Sequence, residues 1–209
     1  MFGRRTDSNY RRSQAKTAIA LELSPLALEL AAAISQAPEQ FRQRQDLAQG
    51  LINELNRIAS LPPCKVVVAD RAQVHNHDGQ RLQSKTYGYY RCTFKEREVT
   101  GARIRIYHRT AVRQQVISPK VFLNTLLHEW THHYDFAGLK LNRSPHTTGF
   151  YKRLRNLAES LSVGYVMPPD PDAPPPAAPI PVMPVIDFDA LPQPSWRTQD
   201  QKNVPSSPR

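Results

Sequence analysis

A helix-forming segment in the second half of the chain carries the residues best suited to chemistry. It reads His128-Glu129-Trp130-Thr131-His132, an H-E-x-x-H motif. Residues four apart lie about 40° from each other around an α-helix, so both imidazoles point the same way. Two imidazole nitrogens can then bind one Zn²⁺, with Glu129 beside a water on the metal. The motif therefore predicts a hydrolytic zinc site with Glu129 as general base.

A catalytic zinc needs a third protein ligand and an open fourth position. We favour His146, which follows His132 by fourteen residues, because a short loop and a new helix would return it to the metal. Glu159, on that next helix, is an alternative that would give a His-His-Glu site. His133 and Asp135 point away from the metal face. Asp135 is expected to orient an imidazole N–H instead.

The zinc motif and the segment His146-Thr147-Thr148-Gly149-Phe150 together resemble the SprT-like metallopeptidases, the family that includes Spartan. In that family a histidine follows the H-E-x-x-H motif by some fifteen residues, with a small residue after it and an aromatic four positions on. Thr147 stands in place of the usual glycine, and Phe150 takes the aromatic position.

The resemblance covers residues 38–166 and implies a zincin-like fold. It also implies that the three zinc ligands are His128, His132 and His146, and that Glu129 is the base. In Spartan-type members it further implies proteolysis of proteins crosslinked to DNA, triggered by DNA. On this basis we expect a zinc-dependent peptidase, with DNA-associated proteins as a candidate substrate class.

The expected mechanism is attack of a zinc-bound water on a scissile carbonyl. Glu129 accepts a proton from that water and delivers it to the leaving amine. The strand ending at Tyr107 is expected to be a sheet edge where a peptide adds as an extra strand. Tyr134, Tyr151 and His108 are candidate donors to the oxyanion. Two alternatives are a metal-dependent hydrolase of non-peptide substrates and a non-catalytic nucleic-acid-binding adaptor with a zinc-stabilised fold.

The elements that must position these residues form an α+β pattern. Apolar periodicity predicts helices over 25–36 and 38–60. Short β-branched or alternating runs predict strands over 64–69, 86–94 and 102–107. The sequence thus predicts N-terminal helices, a small three- to four-stranded sheet, the H-E-x-x-H helix and a further helix.

Turn and cap residues mark the ends of the last two helices. The pairs Ser118-Pro119 and Ser144-Pro145 match an N-cap followed by proline at the first helical position. Gly138 is expected to end the H-E-x-x-H helix in a left-handed conformation.

Charge and proline are unevenly distributed over the 209 residues, which predicts three regions. Residues 1–37 form a basic arm and a short helix, and residues 38–166 form the SprT-like domain. Residues 167–209 hold 13 of the 19 prolines and predict a disordered tail. The formal net charge of +10 favours a polyanionic partner such as DNA.

Partners and location follow from the same composition. The expected partners are a protein or peptide substrate, DNA bound by the basic body, and a protein bound by the proline-rich tail. Three tyrosines beside Arg91 could stack on nucleic-acid bases or could be ordinary aromatic core residues of a strand: Tyr87, Tyr89 and Tyr90. The sequence contains no run of eighteen apolar residues, so it predicts no membrane-spanning helix. With two cysteines and no signal peptide, a cytoplasmic location is expected, associated with the nucleoid if DNA is bound.

Overall fold

The computed structural model describes residues 8–36, 40–77 and 82–164. The predicted disordered tail over 167–209 and the first seven residues of the basic arm lie outside that part of the chain. No helix among the described residues is both long enough and apolar enough to cross a membrane.

Five α-helices and five strands account for the regular structure of the described residues. The helices are α1 (Ser8–Ala15), α2 (Pro25–Gln36), α3 (Phe41–Ile58), α4 (Pro119–His133) and α5 (Thr148–Ser160), with a π-helical turn (Tyr134–Gly138) directly after α4. The strands are β1 (Lys65–Ala72), β2 (Val74–His77), β3 (Leu82–Thr86), β4 (Gly88–Lys95) and β5 (Glu98–Arg109). The predicted α+β class is confirmed.

Three of the strands form a mixed sheet in the order β1-β5-β4, in which β5 is parallel to β1 and antiparallel to β4. The expectation that the strand ending at Tyr107 is an edge is wrong, because Tyr107 belongs to the central strand β5. β2 and β3 pair separately as an antiparallel ribbon, which the sequence analysis missed. The edges of the three-stranded sheet are therefore β1 and β4.

Two glutamines of α3 cover the outer edge of β1. Gln45 accepts a hydrogen bond from the Val68 amide at 2.7 Å and donates to the Val66 carbonyl at 2.9 Å. Gln49 accepts from the Val66 amide at 2.8 Å and donates to the Cys64 carbonyl at 3.0 Å. These side chains satisfy backbone groups that an unpaired edge would expose. Among the described strands of this sheet, β4 is left with the open edge.

The hydrophobic core lies between one face of the sheet and helices α2 to α5. Its most buried large side chains include Leu51, Leu55, Ile104, Ile106, Phe122, Leu126 and Trp130. Burial of each such side chain contributes about 1.5–3 kcal/mol. Ile19, Ala27 and Ile34, which the sequence analysis assigned to the region 1–37, are buried in the same core.

Helix α1 lies against the start of α5 and the loop that precedes it. The buried Arg153 of α5 donates to the Ser13 carbonyl at 2.7 Å, and Arg12 donates to the Leu139 carbonyl at 2.7 Å. The hydroxyls of Ser13 and Thr147 are 3.0 Å apart. The contact is close because Gly149 has no side chain: a Cβ there would lie 2.2 Å from the Ser13 carbonyl oxygen.

We expect Gly149→Ala to destabilise the protein although alanine is ordinarily the better helix residue. The added methyl would clash with backbone carbonyls of α1, which cannot rotate away, so α1 must shift at a cost of about 1–3 kcal/mol. Thermal unfolding and the rate of tryptic cleavage at Arg11 and Arg12 measure this. Gly164→Ala is the matched control, because its Cβ would meet no heavy atom of the described residues within 4 Å. Equal stability of the two variants would contradict the docked position of α1.

Candidate metal centre

Helix α4 presents the H-E-x-x-H motif as the sequence predicts. The Ser118 hydroxyl accepts a hydrogen bond from the Val121 amide at 3.3 Å, and Pro119 occupies the first helical turn. Leu126, Leu127 and Trp130 are fully buried, which fixes the rotation of the helix about its axis. His128 and His132 consequently lie on the side of α4 that faces the cleft.

The side chains of His128, His132 and His146 meet at one point and can hold a metal ion. The Nε2 atom of His146 lies 3.1 Å from Nε2 of His128 and 3.1 Å from Nε2 of His132. His146 was the favoured third ligand, and the structure brings it to the other two. The alternative Glu159 is exposed near the end of α5 and is not part of this group.

The donor set fits a tetrahedral zinc ion. Two nitrogens at about 2.1 Å from Zn²⁺ with tetrahedral angles would be about 3.4 Å apart, close to the separations seen here. Burial lowers the pKa of His128 to about 4 and that of His132 to about 2, and it also lowers the pKa of His146. The imidazoles are therefore neutral at pH 7, which is the form that binds a metal.

Phe150 forms the floor under the three imidazoles. Its ring is fully buried, and its centroid lies 5.1 Å from that of His128, 4.7 Å from that of His132 and 5.1 Å from that of His146. Because Phe150 is on α5 and two of the histidines are on α4, the packing of these helices sets the distance between the ligands.

A chain of hydrogen bonds runs from His132 into the interior. The Ser144 hydroxyl donates to Asp135 Oδ2 at 2.8 Å, so its oxygen is left to accept the N–H of His132 Nδ1 at 2.7 Å. That tautomer leaves His132 Nε2 without a hydrogen and directed at the metal position. Asp135 also accepts from Arg153 at 2.9 Å. Asp135 thus orients an imidazole, as expected, but through Ser144.

Ser144 is not the N-cap of α5, so that prediction is wrong. The cap is Thr147, whose hydroxyl accepts from the Phe150 amide at 3.0 Å. The Ser-Pro pattern misled because the Ser144 hydroxyl is committed to Asp135 and His132. Because the N-cap lies three residues later than predicted, at Thr147, His146 lies just before α5 rather than in its first turn.

The turn after α4 also departs from prediction. Residues Tyr134–Gly138 form a π-helical turn, and Gly138 does not adopt a left-handed conformation there. Lys140, with φ of 52°, is the left-handed residue instead. The wider turn carries Phe136 to the cleft, where its ring stacks on Tyr90 with centroids 5.8 Å apart. π-Turns of this kind occur often at functional sites.

His133, the remaining histidine of the segment, has a structural role. It is fully buried, and its two ring nitrogens lie 3.0 Å from the Tyr90 hydroxyl and 3.0 Å from the Pro62 carbonyl. These contacts attach α4 to strand β4 and to the chain before β1. They explain why His133 is not a ligand even though it adjoins His132.

Glu129 faces the cleft beside the three histidines that can hold a metal ion. It is 7% exposed, and burial raises its pKa to about 7, while a backbone hydrogen bond from Tyr90 opposes that rise. Gly88 permits this close approach of α4 and β4: a Cβ at Gly88 would lie 3.0 Å from Thr125 Cγ2 and 3.5 Å from Glu129 Cγ, both on α4. Sequence reasoning missed this role of Gly88, because a single glycine in a strand carries no such signal.

The cleft has a volume of about 780 Å³ and an open, mostly apolar mouth. Strand β4 and its preceding residues form one wall, and α4 forms the other. Tyr134, Tyr151 and His108, the expected oxyanion donors, are not among its lining residues. Tyr134 packs on Trp130, Tyr151 stacks on His146, and His108 is buried beside Phe41.

The chemistry available here follows from the donor set. Three neutral imidazoles are a ligand set typical of Zn²⁺, and a carboxylate lies next to them in a cleft open to solvent. No protein-family model, curated protein or solved structure matches the chain.

We expect the purified chain to bind one Zn²⁺ through the three histidines. His128→Ala, His132→Ala and His146→Ala should each weaken zinc affinity by more than about 100-fold, beyond what loss of an outer hydrogen-bond partner costs. Competition with a chromophoric chelator measures the affinity, and elemental analysis measures the stoichiometry. His75→Ala, an exposed histidine of β2, is the control and should change neither. Zinc bound equally well by all four variants would contradict the assignment.

Ser144→Ala should weaken zinc binding by about 10- to 100-fold, because His132 loses the partner that fixes its ring and tautomer. Ser144→Thr keeps the hydroxyl and should restore most of the affinity. The control is Ser35→Ala, whose hydroxyl donates to the Ala31 carbonyl of its own helix. Unchanged affinity in Ser144→Ala, measured by the same competition, would show that the hydrogen-bond chain does not support the ligand.

Proposed function

We propose that this protein is a zinc-dependent metallopeptidase of the SprT-like type. The observation that carries the proposal is the meeting of His128, His132 and His146 beside the buried carboxylate of Glu129, in one open cleft. The likeness of the residues 128–150 to the SprT-like pattern supports the same function. A zincin-like fold is part of the proposal.

In the proposed mechanism the three histidines would hold Zn²⁺ through their Nε2 atoms. Bound zinc supplies a Lewis acid that polarises the scissile carbonyl and makes water nucleophilic near neutral pH. Glu129 accepts a proton from the attacking water and transfers it to the leaving amine. Its position next to His128 on α4 brings the carboxylate to the cleft without making it a ligand.

Strand β4 supports a peptide as the substrate rather than a small molecule. It has the open edge of the sheet, and its residues Gly88, Tyr89 and Tyr90 line the cleft. An extended peptide added to this edge would form main-chain hydrogen bonds next to Glu129. Sequence reasoning placed the peptide-binding edge at the strand that ends at Tyr107. The proposal places it at β4, the neighbouring strand on the outside of the sheet.

Apolar lining residues favour an apolar side chain in the bound peptide. Val121, Phe136 and Leu154 contact the same cleft, whose exposed surface is mostly apolar. Burial of one such side chain would contribute about 1.5–3 kcal/mol to binding. Proteins associated with DNA are the proposed substrate class, because the formal net charge of the chain is +10.

Glu129→Gln tests the proposal. The variant should keep one bound zinc, because the glutamate is not a ligand, and should lose cleavage by at least about 100-fold, the usual contribution of a general base. Cleavage of a denatured, fluorescein-labelled protein by the zinc-loaded chain measures activity. Glu159→Gln, an exposed carboxylate of α5, is the matched control and should cleave as the wild type does.

Two results would contradict the peptidase. If Glu129→Gln cleaves as fast as the wild type, the activity belongs to another site or to a contaminant. If the zinc-loaded wild type cleaves no unfolded or DNA-binding protein, the site serves a different reaction. Phosphodiester and nucleotide substrates tested in parallel separate that outcome from an inactive preparation.

A further inference from the structure

The face of the three-stranded sheet that points away from the helices has an unusual composition. We call it the outer face, and its residues follow from the strand register. It comprises Lys65, Val67, Ala69 and Arg71 of β1, Tyr89, Arg91 and Thr93 of β4, and Arg103, Arg105, Tyr107 and Arg109 of β5. The inward positions of the same strands are the apolar core residues such as Ile104 and Ile106.

Three cations of the outer face form a row across all three strands. Arg103 of β5 is directly opposite Lys65 of β1 on one side and Arg91 of β4 on the other. All three are exposed. Like charges directly opposite each other on neighbouring strands destabilise a sheet. The row therefore costs stability, and its composition points to an anionic partner.

Little negative charge lies within the outer face to balance it. The described carboxylate that pairs with a cation here is Asp70, which accepts from Arg109 at 2.8 Å. Lys65, Arg71, Arg91 and Arg103 lie outside the salt bridges among the described residues. A patch of several uncompensated cations favours a partner with regularly repeated anionic groups, such as a phosphodiester chain.

Aromatic rings lie among these cations. The guanidinium of Arg91 is 4.7 Å from the ring centroid of Tyr89, and that of Arg105 is 6.0 Å from the same ring. Arg71 lies 5.3 Å from the ring of the buried Tyr107. Tyr89 is half-buried, so part of its ring remains available. Tyrosine rings and planar guanidinium groups both stack on nucleobases.

We propose that the outer face binds single-stranded nucleic acid, with Lys65, Arg91 and Arg103 contacting phosphates and Tyr89 stacking on a base. A sheet face that carries an aromatic ring can stack on unpaired bases, which a duplex does not offer. An acidic protein would use the cations but not the ring. This binding goes beyond the proposed peptidase activity and does not depend on it.

The experiment is fluorescence anisotropy of the full-length chain with labelled 20-nucleotide oligomers. The arms are oligo-dT, oligo-U, a duplex of the same length and poly-glutamate, each titrated at several salt concentrations. Tighter binding of the single strands than of the duplex is expected. Comparison of oligo-dT with oligo-U shows whether the 2′-hydroxyl matters.

The charge variant is Arg91→Gln/Arg103→Gln. Loss of two phosphate contacts should make the slope of log K against log salt less steep by about 1.4, and weaken binding about 25-fold at 0.1 M salt. Its unfolding temperature should not fall, because two opposed like charges are removed. Arg11→Gln/Arg155→Gln removes two exposed helix arginines and should leave both quantities near wild type.

The stacking variants separate the ring from the charges. Tyr89→Leu should weaken oligo-dT binding about tenfold at every salt concentration, whereas Tyr89→Phe keeps the ring and should bind as the wild type does. Equal affinity for duplex and single strand, or an unaffected Tyr89→Leu, would overturn the single-strand assignment. Binding of poly-glutamate alone would identify an acidic protein surface instead.

Failure of this inference and failure of the peptidase proposal are distinguishable. Glu129→Gln should bind oligo-dT normally, since the carboxylate lies in the cleft and not on the outer face. If the chain cleaves protein but its nucleic-acid binding is unchanged by Arg91→Gln/Arg103→Gln, only the proposal that the outer face binds nucleic acid is overturned. A chain that binds oligo-dT through those arginines but cleaves nothing overturns the peptidase only.

Discussion

The arrangement of the three candidate metal ligands, His128, His132 and His146, depends on one buried ion pair between Asp135 and Arg153. Their side chains are both completely buried and 2.9 Å apart. From this pair, hydrogen bonds reach His132 through Ser144 and reach α1 through the Ser13 carbonyl. Three segments distant in sequence are thereby held around one ligand. The loop between the π-helical turn and α5, which carries His146 back to α4, is fixed at the same place.

The energy of the pair differs from that of an ordinary surface salt bridge. Removing one partner of a buried pair leaves an uncompensated charge and costs about 3–5 kcal/mol, whereas the exposed Lys140–Glu98 pair contributes about 0–1 kcal/mol. A buried pair is often no more stabilising than apolar residues in its place. Its effect here is therefore better understood as positioning: an apolar pair could fill the space but could not orient the Ser144 hydroxyl.

How much of this site can be predicted from sequence depends on whether its contacts are local. His128, Glu129 and His132 are placed by the period of one helix, which the sequence shows directly. The prediction that His146 is the third ligand depended on a loop of plausible length and on a family resemblance. Ser144 was misassigned because its partners are nine and twelve residues away, and a Ser-Pro pair alone looks the same as a helix cap.

The sheet shows the same limit. The alternation of arginine and isoleucine over 103–106 predicted the strand that forms part of β5, because that pattern is local. Strand order is set by long-range pairing, so β5 was taken for an edge although it is central. The cation row of Lys65, Arg103 and Arg91 is equally invisible in sequence, since its members are brought together only by the register of three strands.

Strand β4 connects the two proposed activities through the alternation of its side chains. Gly88 and Tyr90 point inward, where one permits the approach of Glu129 and the other contacts His133. Tyr89 and Arg91 point outward to the basic face, and Tyr89 also lines the cleft. A strand of nucleic acid on the outer face and a peptide on the open edge of β4 would therefore lie side by side. The two proposals together would select substrates by location: a protein already bound to the nucleic acid would reach Glu129 at a higher local concentration than a free one.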